Sequence, residues 1–405
     1  MAEQPPNGRL RLDTLAGTSL LTALVAIGSF SVSIYTPSMP ALAADFHTRP
    51  ALVKLTLSLY LVGFALAQLA YGPLSDRFGR RPVLMAGLVL YASAGLAAAF
   101  APDVNSLIAA RLLQALGGCA GLVIGRAIVR DTSLPQEAAR RLAMMNLMVA
   151  IGPGAAPIVG GALASSLGWR SIFFALALLG IANLLFSWRL LPESKDPAST
   201  ANMSALARNY GRLLVSPAFL GYAIGGGCAT TSMYAFIGAS PFIFAHQLHR
   251  PTYEVGIYPA IVLAGVWIGS VAATRLIPRL PIDRLAVWAN ILSVLASFAF
   301  LGAVLSGHLS VLLAIAPMFV FGIGAGVASP AALTQAISVN PEVIGSASGL
   351  YGFSQMGVGA ICTALVGTGS DPALAAAVIL VSAGVIGQIA FWIALHHRAP
   401  AVRSS

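Results

Sequence analysis

Apolar residues run along this chain in long blocks, each closed by a short polar knot. The blocks cover 15–38, 52–73, 83–101, 105–127, 142–166, 169–191, 217–245, 255–275, 285–306, 309–336, 343–367 and 373–395. Each supplies about 20 residues, the length a helix needs to cross the hydrocarbon core of a bilayer. In lipid the backbone polar groups must be satisfied within the segment, and a helix does this along its length. The pattern therefore predicts twelve transmembrane helices. The first block follows Arg9 and Arg11 and precedes Ala41-Leu42-Ala43, the outline of a cleaved leader. Its length and the eleven blocks behind it predict a retained helix instead.

The connectors predict orientation. With the N-terminus inside, 18 of the 23 Lys and Arg residues fall on the cytoplasmic side. Arg49, Lys54, Arg170 and Arg250 fall outside, and Arg111 lies within the fourth helix. An excess of Lys and Arg marks cytoplasmic loops, so both termini are expected inside. One connector, 192–216, is long and polar. It divides the chain into an expected N-terminal six-helix bundle, 1–191, and an expected C-terminal bundle, 217–405. At a constant offset of 205 residues, Gly121 matches Gly326, Glu137 matches Glu342 and Gly152 matches Gly357. Parallel six-helix repeats place a substrate site between the halves, near mid-membrane. The 41 glycines fit helices that pack closely against one another.

Composition agrees. The 405 residues are 58% hydrophobic and 9% charged, where a soluble domain carries about 25% charged residues. Mean hydropathy is +0.84. The net charge of +10 is spread between apolar blocks instead of gathered on one arm, so it is read as an orientation signal and not as a nucleic-acid surface. Cys119, Cys228 and Cys362 each stand alone in an apolar block, which predicts buried packing residues. His246 and His249 are three apart but have no carboxylate or cysteine companion, so no metal site is expected. No catalytic cluster stands near a segment end, and neither an enzyme nor a cofactor is expected.

Three stretches carry candidate chemistry. After the second helix the chain reads Gly72-Pro73-Leu74-Ser75-Asp76-Arg77-Phe78-Gly79-Arg80-Arg81-Pro82. Asp76 is an acid among arginines at a helix end, and such a network can latch one conformation and break in another. Gly72 is expected to let the end of the second helix approach a neighbour. In the fourth helix, Arg111 and Gln114 share one face by their spacing of three. An arginine near the bilayer centre costs roughly 2.5–3.5 kcal/mol on insertion scales, so a polar cavity is expected around it. The fifth helix reads Gly152-Pro153-Gly154-Ala155-Ala156-Pro157-Ile158-Val159-Gly160-Gly161. Its prolines interrupt the hydrogen-bond ladder and its glycines permit tight contact.

These stretches resemble the major facilitator superfamily. The first matches its cytoplasmic loop signature, with Gly72, Asp76, Arg77, Gly79 and Arg80 at the family's spacing. The second resembles its fourth-helix arginine motif. The third is similar to the antiporter motif, with Ala156 for the first glycine of the usual core and Pro153, Pro157, Gly160 and Gly161 in place. Ser232–Phe244 and Val129-Arg130-Asp131 resemble the Bcr/CflA branch, which includes bicyclomycin, chloramphenicol and florfenicol exporters. The resemblance implies an all-α integral membrane protein of two pseudo-symmetric six-helix bundles. It also implies a drug–proton antiporter in the bacterial inner membrane, monomeric, working by alternating access on small molecules.

One departure matters. That branch carries an acid in the first helix where this chain has Ser33. None of the 13 acids lies in the middle of a predicted helix. Intramembrane carboxylates are the usual proton relays. Three readings remain open: coupling through a helix-end carboxylate (Asp13, Asp45, Asp131 or Glu254), a substrate that carries the proton itself, or an uncoupled facilitator. Arg111 without an acid on its own helix suits an anionic or zwitterionic substrate, so a dedicated metabolite exporter is the alternative. Residues expected to line the cavity are Arg111, Gln114, Tyr35, Ser33, Tyr60, Asn146, Tyr234, Phe236, Tyr351 and Gln355.

Overall fold

A computed structural model describes residues 15–133, 135–194, 203–340 and 343–397. Its described residues form helices joined by short turns. They fall into two compact units: 1–201 with 240–260, and 202–239 with 261–405.

The first unit is built from α1 (Leu15–Ser33), α2 (Met39–Asp45), α3 (Pro50–Phe78), α4 (Arg80–Ala99), α5 (Val104–Thr132), α6 (Pro135–Leu167) and α7 (Arg170–Leu190). The first predicted helix is interrupted. Pro37 and Pro40 cannot donate to a ladder, and a 3-10 turn, Thr36–Ser38, stands between α1 and α2. The turn feeds its own carbonyls: Thr36 Oγ1 donates to Ser33 O at 2.8 Å and Ser38 Oγ to Tyr35 O at 2.6 Å. The connector after the second helix narrows to one residue. Gly79, at φ +93°, ends α3 and opens α4, a backbone state that favours glycine. Asp103 caps α5, and the Ser106 N–H holds its carboxyl below the usual carboxylate range.

The second unit holds α8 (Met203–Leu214), α9 (Pro217–Thr230), the start of α10 (Tyr234–Phe242), most of α12 (Ile257–Leu276), α13 (Ile282–Leu305), α14 (Val311–Ser338), α15 (Ile344–Val366) and α16 (Pro372–His396). Helix α8 sits inside the connector that hydropathy alone leaves as a coil. The seventh predicted helix is broken at a 3-10 turn, Thr231–Met233. Here Thr230, Thr231 and Ser232 donate their hydroxyls to the carbonyls of Gly226, Gly227 and Cys228. Such back-bonding competes with the helix ladder. Pro241 then precedes a π-turn, Ile243–Gln247, and a short helix, α11 (Thr252–Val255).

Eleven described helices or helical runs are long and apolar enough to cross a membrane. Helix α6, with 33 residues, occupies the place of the predicted fifth crossing. Buried glycines set the spacing between helices. A Cβ on Gly121 would stand 2.8 Å from the Leu24 carbonyl carbon, and one on Gly326 would stand 2.8 Å from Ser270 N. The other repeat pair is different in kind: Gly152 and Gly357 both face open space. All three cysteines are buried and free, as expected.

Candidate substrate and latch sites

Arg111 is wholly buried in the first unit, at 0% exposure. Its guanidinium lies between two tyrosine rings, 4.2 Å from the centroid of Tyr35 and 4.1 Å from that of Tyr60. Phe173 adds a third ring at 5.8 Å. Desolvated cation–π contacts are worth about 2 kcal/mol each, so the rings offset much of the cost of burying this charge. In the plane of the group, Nη1 donates to Gln114 Oε1 at 2.7 Å and Nη2 to Ser31 O at 3.0 Å. No carboxylate pairs with Arg111 among the described residues, and its Nε is buried without a hydrogen-bond partner.

The surrounding shell fixes the two rings. Tyr35 Oη and Thr56 Oγ1 share a hydrogen bond at 2.9 Å, and Tyr60 Oη donates to Gly28 O at 3.0 Å. Ser31 Oγ and Tyr91 Oη lie 2.6 Å apart. Ser33 is buried nearby in sequence, with its hydroxyl unpartnered. Arg111, Gln114, Tyr35 and Tyr60, expected from sequence to line a cavity, are brought together in one closed and fully buried cluster. Ser31, Thr56 and Phe173 complete the group, and no local pattern in the sequence marks them.

Tyr234, Phe236, Tyr351 and Gln355 belong to the second unit. Gln355 Nε2 donates to Thr230 Oγ1 at 2.9 Å, and Thr231 Oγ1 donates to Gln355 O at 2.5 Å. Tyr351 is buried with an unpartnered hydroxyl. Phe236 packs edge-on against Phe300 at 5.6 Å. Asp13 lies outside the described residues, as do the side chains of Asn146 and Pro153.

The signature after α3 closes on Arg80, which is 7% exposed. Arg80 Nη2 pairs with Asp76 Oδ1 at 2.8 Å, and Nε pairs with Asp131 Oδ2 at 2.9 Å. Its Nη1 donates to Ser75 Oγ at 2.6 Å. Glu193 enters from beyond α7: its two oxygens accept the backbone N–H groups of Arg80 and Arg81 at 3.0 and 3.1 Å. A carboxylate at a helix N-terminus satisfies unpaired donors and the helix dipole together. Gly79 leaves room for it, since a Cβ there would stand 2.9 Å from Glu193 Oε2.

Two expectations for this stretch are corrected. A Cβ on Gly72 would meet nothing within 4 Å, so the end of α3 makes no close approach at that residue. Arg77 is exposed and lies over the Phe78 ring at 5.2 Å, outside the ion pairs, because it projects from the solvent side of α3.

On α6, a Cβ at Gly160 would fall on the Ile34 carbonyl, 2.6 Å from its carbon. Gly161 stands 3.6 Å from the Gly256 Cα by the same construction, and Gly256 in turn abuts the Pro157 carbonyl, 3.2 Å from its carbon. The motif glycines thus seat α6 on the end of α1 and on the 240–260 segment. The helix is continuous from Pro135 to Leu167. The remaining carboxylate candidates are all engaged. Asp45 accepts from Arg170 Nη1 at 2.9 Å and from Trp169 Nε1 at 3.1 Å. Asp131 holds Arg80. Glu254 takes the Tyr258 hydroxyl and sits 3.9 Å from Arg250 Nε.

Comparison with known proteins agrees with this architecture. Residues 21–364 match the family model described as Major Facilitator Superfamily. The chain belongs to that superfamily. It is 30% identical over 401 residues to YdgK, an uncharacterised MFS-type transporter of Bacillus subtilis, with 96% of each chain covered. Multidrug resistance protein D of Escherichia coli is 29% identical, over 82% of this chain and 84% of its own length. A bicyclomycin resistance protein homolog of Haemophilus influenzae is 25% identical, over 85% and 87%. These relatives are consistent with the Bcr/CflA branch. The crystal structure of a D-xylose–proton symporter shares the fold, with a TM-score of 0.74 at 15% identity over 92% of this chain and 96% of that one. The chain is thus a multi-pass membrane transporter of the major facilitator fold.

Proposed function

We propose that this transporter exports small molecules, drugs of the phenicol and bicyclomycin kind among them, across the bacterial inner membrane. Transport runs by alternating access of the bundles 1–191 and 217–405 about the connector 192–216, with both termini cytoplasmic, as a monomer, driven by protons. The observation that carries the substrate assignment is Arg111: a fully buried charge with aromatic faces and no carboxylate partner among the described residues. An intramembrane charge marks a substrate or ion path far more often than a structural need. Relatives named for multidrug and bicyclomycin resistance support the drug reading.

Tyr35, Ser33, Tyr60, Gln114, Asn146, Tyr234, Phe236, Tyr351 and Gln355 line the path in this reading. Asp76, Arg80, Asp131 and Glu193 form the latch that holds one state. A dedicated exporter of an anionic or zwitterionic metabolite is favoured by one specific feature, the unpartnered Arg111 Nε, which leaves an in-plane donor for a carboxylate. Substrate exchange in proteoliposomes tests the assignment. Arg111→Ala is expected to lower chloramphenicol exchange by about 100-fold while membrane insertion is unchanged. Normal exchange by that variant removes Arg111 from the path.

A further inference from the structure

Every described carboxylate considered for proton coupling is tied to a cation or a donor, which leaves the coupling group to be found elsewhere. The described buried cations are Lys54, Arg80, Arg111 and Arg141. Arg80 pairs with Asp76 and Asp131, Arg141 pairs with Glu137, and Arg111 is stacked and hydrogen-bonded. Lys54 differs. It is 2% exposed, one turn into α3 from Pro50. Among the described residues its ammonium has neither an ion pair nor a hydrogen bond, and it lies over the Phe242 ring at 5.1 Å.

The chemistry of the two basic residues separates them further. A guanidinium keeps its proton under all biological conditions, whereas a buried lysine amine can give it up. The chain has 23 basic residues, and Lys54 and Lys195 are its two lysines. A group able to change charge therefore stands where no carboxylate neutralises it. The ionisable groups on neighbouring elements do not take its place. Asp45 on α2 is held by Arg170 and Trp169. On α5, Asp103 caps its own helix and Arg111 is held by tyrosines. On α4, the Arg80 side chain pairs with Asp76 and Asp131 and that of Arg81 donates to Trp188 O. Gly154–Leu167 of α6 has no ionisable residue. On the segment that covers Lys54, His246 is exposed beyond Phe242 with its ring 5.8 Å away, and Arg250 and Glu254 face each other.

The cover lies at a break in the helical ladder. Phe242 closes α10 directly after Pro241 and directly before the π-turn 243–247. Proline and π-turns interrupt the helical ladder and recur at functional hinges. Residues 240–260 pack with the first unit, while their chain neighbours on both sides belong to the second.

We propose that Lys54 is the proton-carrying group of this transporter, covered and uncovered by Phe242. Uptake forms one N–H bond at Nζ with a proton from water on one side of the membrane. Release breaks that bond and returns the proton to water on the other side, with no redox change. The proposal rests on the reading of the chain as a proton-driven exporter, and the two are separable by experiment. In proteoliposomes with chloramphenicol, counterflow exchange reports substrate transport and accumulation under an imposed pH gradient reports coupling. Lys54→Arg keeps the charge and the ring contact but cannot release a proton. It is expected to keep exchange within about twofold of wild type while its accumulation ratio falls to about 1, because a group that does not change protonation transmits no pH gradient. Lys54→Gln is expected to do the same. Full accumulation by Lys54→Arg overturns the proposal.

Should wild type move no chloramphenicol, the export reading fails and the lysine is still tested directly. Full-length protein labelled at lysine 15Nζ gives signals from two residues, and Lys54 is assigned by loss of its signal in Lys54→Arg. Interconversion of that signal between ammonium and amine around neutral pH supports the proposal. A signal that stays ammonium throughout overturns it.

Discussion

A guanidinium is a permanent charge, so the burial of Arg111 has to be offset by its contacts. The faces of Tyr35 and Tyr60 do this, aided by the Gln114 and Ser31 oxygens. Tyr60→Leu removes one face and is expected to destabilise the protein by about 2 kcal/mol. Tyr60→Phe keeps the face and loses the hydrogen bond to Gly28 O, costing about 1 kcal/mol. Thermal unfolding in detergent ranks the two; equal effects would mean that the ring contact contributes nothing. A second residue-scale test uses glycine. Gly160→Ala drives a methyl into the Ile34 carbonyl and is expected to cost about 1–3 kcal/mol as an overpacked site. Gly152→Ala, with open space around it, should be neutral. The pairing of Arg111 with Gln114 was legible from their spacing of three. The tyrosines were legible as polar aromatics inside apolar blocks. Ser31 and Phe173 were not, since contacts across 80 and 62 positions leave no local trace.

At the scale of elements, hydropathy located every crossing but not the places where a crossing breaks. Apolar blocks report burial in lipid, and a 3-10 turn made of Thr231, Ser232 and Met233 is as buried as the helices around it. Prolines 37 and 241 were visible in the sequence, yet proline is tolerated within membrane helices, so its presence alone does not predict a break. Charge had the opposite fate. The arginines after α3 announced a network, whereas Glu193, which caps α4 from 113 positions away, looked like one more polar connector residue. Its role predicts that Glu193→Gln and Asp131→Asn each slow the transport cycle without changing substrate affinity, by about tenfold if each lost contact is worth 1–2 kcal/mol. Asp76→Asn belongs to the same class. Exchange rates measured against binding affinity check this, and unchanged turnover in all three variants would remove the latch from the account.

Over the whole molecule, the architecture was the most legible feature and the coupling the least. Twelve apolar blocks and few charges leave little besides a polytopic helical protein, and the major facilitator fold followed from three motifs. Proton coupling has no such signature here, because Ser33 stands where an acid is usual and Asp45, Asp131 and Glu254 are each engaged by a cation or a donor. In the proposed mechanism coupling rests on which buried group can change charge, a property of packing. The most direct measurement of the central claim is chloramphenicol movement in proteoliposomes under an imposed pH gradient. Proton-driven export gives accumulation against the concentration gradient that collapses when an ionophore dissipates the pH difference. Movement that only runs downhill and ignores pH would contradict it.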